Sequence, residues 1–125
     1  MRYLLDTHVV LWLGAAPERI PAGVMELMED PSNTLLFSIA SIWEIVIKAE
    51  SGKLRITIDE LLRELEQQPF EIIPVALRHM KGLEGLPAIH KDPFDRMLIA
   101  QTIVDNLTIV SADGHFGKYG VPVFW

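Results

Sequence analysis

The sequence predicts an α/β fold, a three-layer sandwich around a five-stranded parallel sheet. Short apolar runs alternate along the chain with helical periodicities, the signature of βαβ units. The runs are apolar at consecutive positions rather than every second one, as expected when helices cover both faces of a parallel sheet. Composition agrees. A chain of 125 residues, 50% apolar and 22% charged, is a single ordinary domain with enough surface to bury a core unaided.

Arg2 to Leu5 is the first strand, ending at Asp6. Val9 to Gly14 follows as a short helix, with Gly14 and the loop around Pro17 as its stop. Pro21 suits a first helical turn, and Val24, Leu27 and Met28 supply an i, i+3, i+4 stripe before Asp30-Pro31. Thr34 to Phe37 is the second strand, and Ser38 to Glu50 a strongly apolar helix closed by Ser51-Gly52. Thr57 to Glu60 has capping-box spacing and opens a helix through Gln67, before Pro69. Phe70 to Ile73 is the third strand, and Val75 to Lys81 a short helix stopped by Gly82. Asp92-Pro93 opens a long helix to about Asp105. Leu107 to Val110 and Val121 to Phe124 complete the sheet. Crossovers in such sheets are right-handed, and ligands bind at the carboxyl ends of the strands.

Eleven basic against seventeen acidic residues give a net charge of −6, which argues against a broad polyanion-binding surface. It leaves room for nucleic acid at a local site where bound metal supplies positive charge. The absence of cysteine excludes a disulfide framework, a thiolate zinc site and a cysteine nucleophile, and agrees with a reducing cytoplasm. No uncharged apolar run approaches the roughly 18 residues of a membrane span. Val9 to Ala16 has the length of a secretory core, but Asp6 stands just ahead of it and Arg2 is the one basic residue before it. A cytoplasmic protein with no membrane association is expected.

Four carboxylates fall at strand ends or on helices that leave them. Asp6 follows strand one, Glu44 interrupts the apolar helix after strand two, Asp95 lies in the first turn of the long helix, and Asp113 follows strand four. Singly, each has an ordinary explanation. Asp6 could cap the next helix, Asp92 is an N-cap ahead of Pro93, Asp95 suits the helix dipole, and Asp113 before Gly114 could close an Asx turn. Glu44 is harder to dismiss. Its i, i+4 pairing with Lys48 is worth tenths of a kcal/mol in solvent, yet it sits in the most apolar stretch of the chain. The separate explanations need no common location, whereas the fold predicts one. Two carboxylates about 4 Å apart repel by roughly 4 kcal/mol at an effective dielectric near 20, so a cluster takes up protons or holds a cation. Oxygen ligands without thiolate or a paired-histidine spacing suit Mg²⁺ or Mn²⁺ rather than zinc. The matching chemistry is metal-assisted phosphodiester hydrolysis.

These residues also resemble a family. Leu5-Asp6-Thr7-His8, Ser41 with Trp43-Glu44-Ile45, the stretch Asp92 to Gln101, and Ser111-Ala112-Asp113 stand as in a PIN-domain ribonuclease of the VapC toxin type, from Met1 to Trp125 without large insertion. The resemblance implies a PIN-like fold with Asp6, Glu44, Asp95 and Asp113 as the catalytic, metal-binding acids, Asp113 being the position at which the family varies. Thr7, Ser41, Asp92, Arg96 and Ser111 would support them. It further implies an Mg²⁺-dependent endoribonuclease (Mn²⁺ substituting), the toxin of a type II toxin–antitoxin system. Such a toxin has a structured RNA as substrate, a cognate antitoxin as inhibitor, and a homodimeric state. Lys48, Lys91 and Arg96 are candidate RNA phosphate contacts, with Lys53 and Arg55 further out. Arg96 could equally be a structural partner of its own helix. Trp12, Met25 and Met28 are candidate antitoxin surface, and Met97 and Ile103 candidate dimer contacts. His8, His79 and His115 read as ordinary, and His90, beside the Asp92 motif, as the exception worth testing.

Two other enzyme classes share the layer architecture and lose on residue identity. A phospho-receiver needs an acceptor aspartate after strand three, where this chain has Pro74-Val75-Ala76. A haloacid-dehalogenase-type phosphatase needs an aspartate where His8 stands. A catalytically idle member, binding a partner protein in regulation, is the remaining alternative. Turnover of RNA with Mg²⁺ separates it from the enzyme.

Overall fold

Five parallel strands form one sheet in a computed structural model that describes residues 1–125. They are β1 (Arg2–Leu5), β2 (Thr34–Ser38), β3 (Phe70–Ile73), β4 (Thr108–Val110) and β5 (Val123–Phe124), in the spatial order β3-β2-β1-β4-β5. In register, Leu4 of β1 stands opposite Leu36 of β2 and Ile109 of β4. The chain winds outward from β1 to β3, then returns to lay β4 on the other side of β1. Winding direction therefore reverses between β1 and β4, and a crevice opens at their carboxyl ends. Asp6 and Ser111 are the residues immediately beyond those two ends.

Six helices complete the layers: α1 (Thr7–Ala15), α2 (Ala22–Glu29), α3 (Ile39–Glu50), α4 (Ile58–Glu66), α5 (Leu77–Glu84) and α6 (Pro93–Val104). The period-two geometry of the strands feeds two separate cores. Tyr3, Leu5, Leu35 and Phe37 pack with Val9, Val24, Leu27, Ile45, Leu61 and Leu65 of the first four helices. Leu4, Leu36 and Ile109 pack on the opposite face with Leu98 and Ile99 of α6 and with Phe116. Burial on both faces holds for the central strands. At the edges, Glu71 and Ile72 of β3 and both residues of β5 are exposed.

Helix starts follow the capping residues. Ser38 accepts from the Ala40 amide, Thr57 from the Glu60 amide at 3.1 Å, and Asp92 from the amides of Phe94 and Asp95. Gly52 follows the end of α3 as expected, but the other two glycines expected to stop helices do not. Gly14 lies inside α1, and Gly82 inside α5. Both are close-approach positions instead: a Cβ on Gly14 would meet the Glu64 carboxylate at 2.6 Å, and one on Gly82 the Val104 Cγ2 at 2.7 Å. Helix α1 also begins directly at Thr7, and short 3₁₀ turns at Pro17–Arg19 and Phe116–Tyr119 fill two connections. No helix is long and apolar enough to cross a membrane.

Candidate metal centre

Asp6 emerges from β1 into the crevice and is 4% exposed. It occupies the N-cap position of α1, but its side chain makes no capping bond. Instead Ser111 Oγ, from the end of β4, donates to Asp6 Oδ2 at 2.8 Å. The Thr7 hydroxyl donates to Ser41 Oγ at 2.8 Å, which ties the end of β1 to the first turn of α3. Sequence neighbours thus serve different partners, and Asp6 is free of the role its position suggested.

Glu44 is 3% exposed, although it faces a lysine one turn away. Lys48 Nζ donates to Glu44 Oε2 at 2.8 Å, and this bond holds the ammonium above its usual range. The other oxygen, Oε1, is buried with no hydrogen-bond partner. A buried, unmatched carboxylate oxygen is costly unless a cation or proton answers it.

Asp95 sits at the third position of α6. The neighbouring Asp92 does the capping, accepting from Phe94 N at 2.9 Å and Asp95 N at 3.0 Å. That leaves the Asp95 carboxyl itself unspent on the helix. Burial, followed by the charges of Asp92, Asp6 and Glu44, pushes it up to about 6. The charges of Asp6, just beyond β1, and of Glu44 on α3 therefore reach Asp95 on α6, which sets the three acids in one neighbourhood.

Asp113 is engaged by its own turn. Its Oδ1 accepts from the His115 amide at 2.9 Å and lies 2.7 Å from His115 Nδ1, the Asx turn of the ordinary explanation. Burial works upward on this carboxyl, but the His115 amide and ring outweigh it and hold it below the usual range. Its link to the other acids is Ser111, whose Oγ accepts from the Asp113 amide at 3.0 Å while donating to Asp6.

Three histidines expected to be unremarkable or merely worth testing line this same place. His8 Nδ1 is 3.9 Å from Asp6 Oδ2, and the bond to Asp6 raises its pKa. His90 Nε2 is 3.0 Å from Asp95 Oδ2, and the His90 and His115 rings stack with centroids 4.9 Å apart. A signal was available: His8 and His115 each stand two residues after a motif acid, and His90 two before Asp92. His79 is the ordinary one, buried between the Ala76 amide and Asp105. Nitrogen and oxygen atoms of His90, Asp113 and His115 lie within 4.8 Å of one another. A two-histidine metal site is nevertheless disfavoured. His90 Nδ1 accepts from the Lys91 amide at 3.0 Å, so the neutral ring carries its proton on Nε2 rather than offering a lone pair there.

The proposed contact residues divide. Arg96 takes its structural alternative, Nη1 donating to the carbonyls of Pro87 at 2.9 Å and His90 at 3.5 Å. Lys48 is engaged by Glu44, whereas Lys91 is exposed at the rim. The exposed apolar surface coincides with the candidates only in part, Met97 lining an apolar groove. Met28 and Met97 are core residues, and Trp12 is packed among His8, Arg19 and Trp125. Ile103 is exposed, as expected of a contact residue. The larger unpartnered face adjoins the acids: Ile39, Trp43, Met80 and Phe94 border an apolar groove of about 340 Å³, with Trp43 62% exposed and edge-on to Phe94.

The PIN-domain family model matches residues 3–122. Among solved structures, the chain is similar to one from VapBC2 of Rickettsia felis bound to a DNA fragment from their promoter, at 16% identity and TM-score 0.78, covering 99% of this chain and 98% of that one. It is similar to one from DNA-bound VapBC of Salmonella typhimurium, at 16% identity and TM-score 0.77 with 99% and 97% coverage. A third is FitAcB of Neisseria gonorrhoeae, at 23% identity and TM-score 0.69 with 98% and 96% coverage. At these identities the likeness is one of fold. No curated protein sequence matches the chain.

Proposed function

The chain belongs to the PIN-domain family, and from that premise we propose that it is an Mg²⁺- or Mn²⁺-dependent endoribonuclease, the toxin of a type II toxin–antitoxin pair. The observation that carries this reading is the meeting of Asp6, Glu44 and Asp95 with one Glu44 oxygen buried and unmatched. These three acids would hold the cation, with Asp113 reached through Ser111. When bound, the cation supplies water activation and neutralises charge at the phosphate. The chain's own residues prepare that event. Ser111 fixes Asp6, Asp92 fixes the first turn of α6 beneath Asp95, and Lys48 engages Oε2 of Glu44 while leaving the buried Oε1 unmatched. Lys91 at the rim is the cation best placed for an RNA phosphate.

Purified protein should cleave RNA with Mg²⁺ or Mn²⁺ and stop in EDTA, and Asp6→Asn should be folded and inactive. Undiminished cleavage by an Asp6→Asn, Asp95→Asn double variant in EDTA overturns the assignment. The idle binding-module alternative predicts no turnover under any condition.

Likeness to chains of the VapBC complexes supports a cognate antitoxin as partner and the cytoplasm as location. For a homodimer, the groove at Trp43 and Phe94, which Met97 also lines, and the exposed Ile103 offer apolar contact surface. Sedimentation of Trp43→Lys should then show monomer where the wild type shows dimer. A monomeric wild type at high micromolar concentration removes the homodimer.

A further inference from the structure

One ammonium stands among the acids. Lys48 Nζ donates to Glu44 Oε2 at 2.8 Å, and no other lysine or arginine forms an ion pair with Asp6, Glu44, Asp95 or Asp113. Arg96 spends its guanidinium on the carbonyls of Pro87 and His90. The charges of Asp92 and Asp95 also reach Lys48, and that of Lys48 reaches His8 beside Asp6. One turn of α3 separates Lys48 from Glu44, so the ammonium is tethered to the carboxylate it pairs with. Glu44 itself is buried, and its Oε1 has no partner. Both oxygens hang on one carbon, so a cation taken up by Oε1 enters the field of the Lys48 ammonium. Like charges that close repel strongly where the effective dielectric is low. A lysine can also yield, because its stem is flexible and its head is a compact, strongly hydrated charge; this side chain is 34% exposed and has water to yield to.

We infer that Lys48 is the resident counter-ion of the metal-free centre: it keeps Glu44 ionised and buried while no divalent cation is present, and it competes with that cation for the Glu44 carboxylate. The inference rests on the reading of the acids as a metal centre. It takes Lys48 out of the candidate phosphate contacts and makes it a positioning residue, one that sets how tightly the centre holds its ion. Competition and support predict opposite signs. A donor that only steadies a metal-ligating carboxylate strengthens metal binding, and its loss typically costs about 10- to 100-fold in affinity. Loss of a competing ammonium instead tightens metal binding, while the metal-free protein pays with a buried carboxylate left alone.

The test is Mn²⁺ affinity at about pH 8, where the carboxylates are ionised, followed by the electron paramagnetic resonance signal of free Mn²⁺. Melting temperature in EDTA is recorded for each protein. Lys48→Met keeps the apolar stem and loses the charge. We expect it to bind Mn²⁺ at least about threefold more tightly than wild type, and to melt in EDTA at least about 5 °C lower. A Glu44→Gln, Lys48→Met double variant, with neither charge, should recover most of that melting loss, and it decides the matter even where Lys48→Met alone is too unstable to purify. Unchanged or weaker Mn²⁺ binding by Lys48→Met overturns the inference. So does a double variant that melts as low as the single one or fails to fold with it. Mn²⁺ binding by neither wild type nor Lys48→Met sinks the metal-centre reading beneath the inference, whereas equal binding by both sinks the inference alone.

Discussion

Glu44 is the residue at which the ordinary and the chemical explanations part. Its pairing with Lys48 was legible as an i, i+4 spacing, but that spacing says nothing of burial, and burial changes what the pair means. With Oε1 enclosed and unmatched, the carboxylate carries a cost that the proposed cation would answer. Glu44→Gln should therefore lower RNA cleavage at least about tenfold, as loss of a metal-ligating charge does. A simple helix pair predicts wild-type rates in the same assay. Asp95 carries the second prediction at this scale. Its folded pKa, about 6, lies above the ordinary carboxylate value, so the protonated form is favoured in the fold. The stability this contributes is complete below the unfolded value near pH 4 and is lost as pH rises through about 6. In metal-free buffer, Asp95→Asn should match wild type near pH 4. It should gain on wild type across that window, by about 2 kcal/mol at neutral pH. Urea unfolding across pH gives the difference directly, and a constant gap would show that the carboxyl titrates normally. The histidines were the least legible residues: their only signal is a place two residues from a motif acid, and that spacing gains meaning once the strands bring those acids together.

Elements were legible where a local rule governs them. Ser38, Thr57 and Asp92 cap because a short side chain before an apolar period can satisfy the orphan amides of a helix start, and each does so. Gly14 and Gly82 were misread because the same residue that ends a helix also permits two elements to touch, and only packing decides between these uses. The two glycines should respond differently to alanine. At Gly82 the new methyl meets Val104, a β-branched residue fixed on α6, and overpacking should destabilise by about 1–2 kcal/mol after the gain in helix propensity. At Gly14 it meets the end of the Glu64 side chain, which can swing aside, so Gly14→Ala should be neutral or stabilising by up to about 1 kcal/mol. Chemical denaturation of both variants tests the contrast; equal effects would mean that the close approaches do not differ in rigidity. Edge strands fell between these cases. Runs of apolar residues announced β3 and β5, but exposure at Ile72 and Phe124 follows from strand order, which no local pattern contains.

For the whole molecule, the order β3-β2-β1-β4-β5 turns scattered motifs into a site, because the reversal between β1 and β4 sets Asp6 beside Ser111 and within reach of α3 and α6. The layers and the parallel sheet followed from periodicity, and the rule that ligands bind at the carboxyl ends of the strands already pointed the acids to one location; resemblance to a family added their role as metal ligands. On the proposed reading the convergence also accounts for an acidic protein acting on a polyanion: a net charge of −6 gives little general attraction, so a substrate phosphate would be drawn to a locally neutralised centre. The cost is carried by the metal-free fold, in which Asp6, Glu44 and Asp95 repel. A cation that binds only the folded cluster stabilises it by about RT ln(1 + [L]/Kd). The direct measurement is thermal melting of the wild type and Asp95→Asn at neutral pH, each in EDTA and in millimolar Mg²⁺. Asp95→Asn should melt above wild type in EDTA, and Mg²⁺ should raise the wild type more and narrow the gap. Identical responses of the two proteins to Mg²⁺, with no advantage for the variant in EDTA, would contradict a shared metal centre.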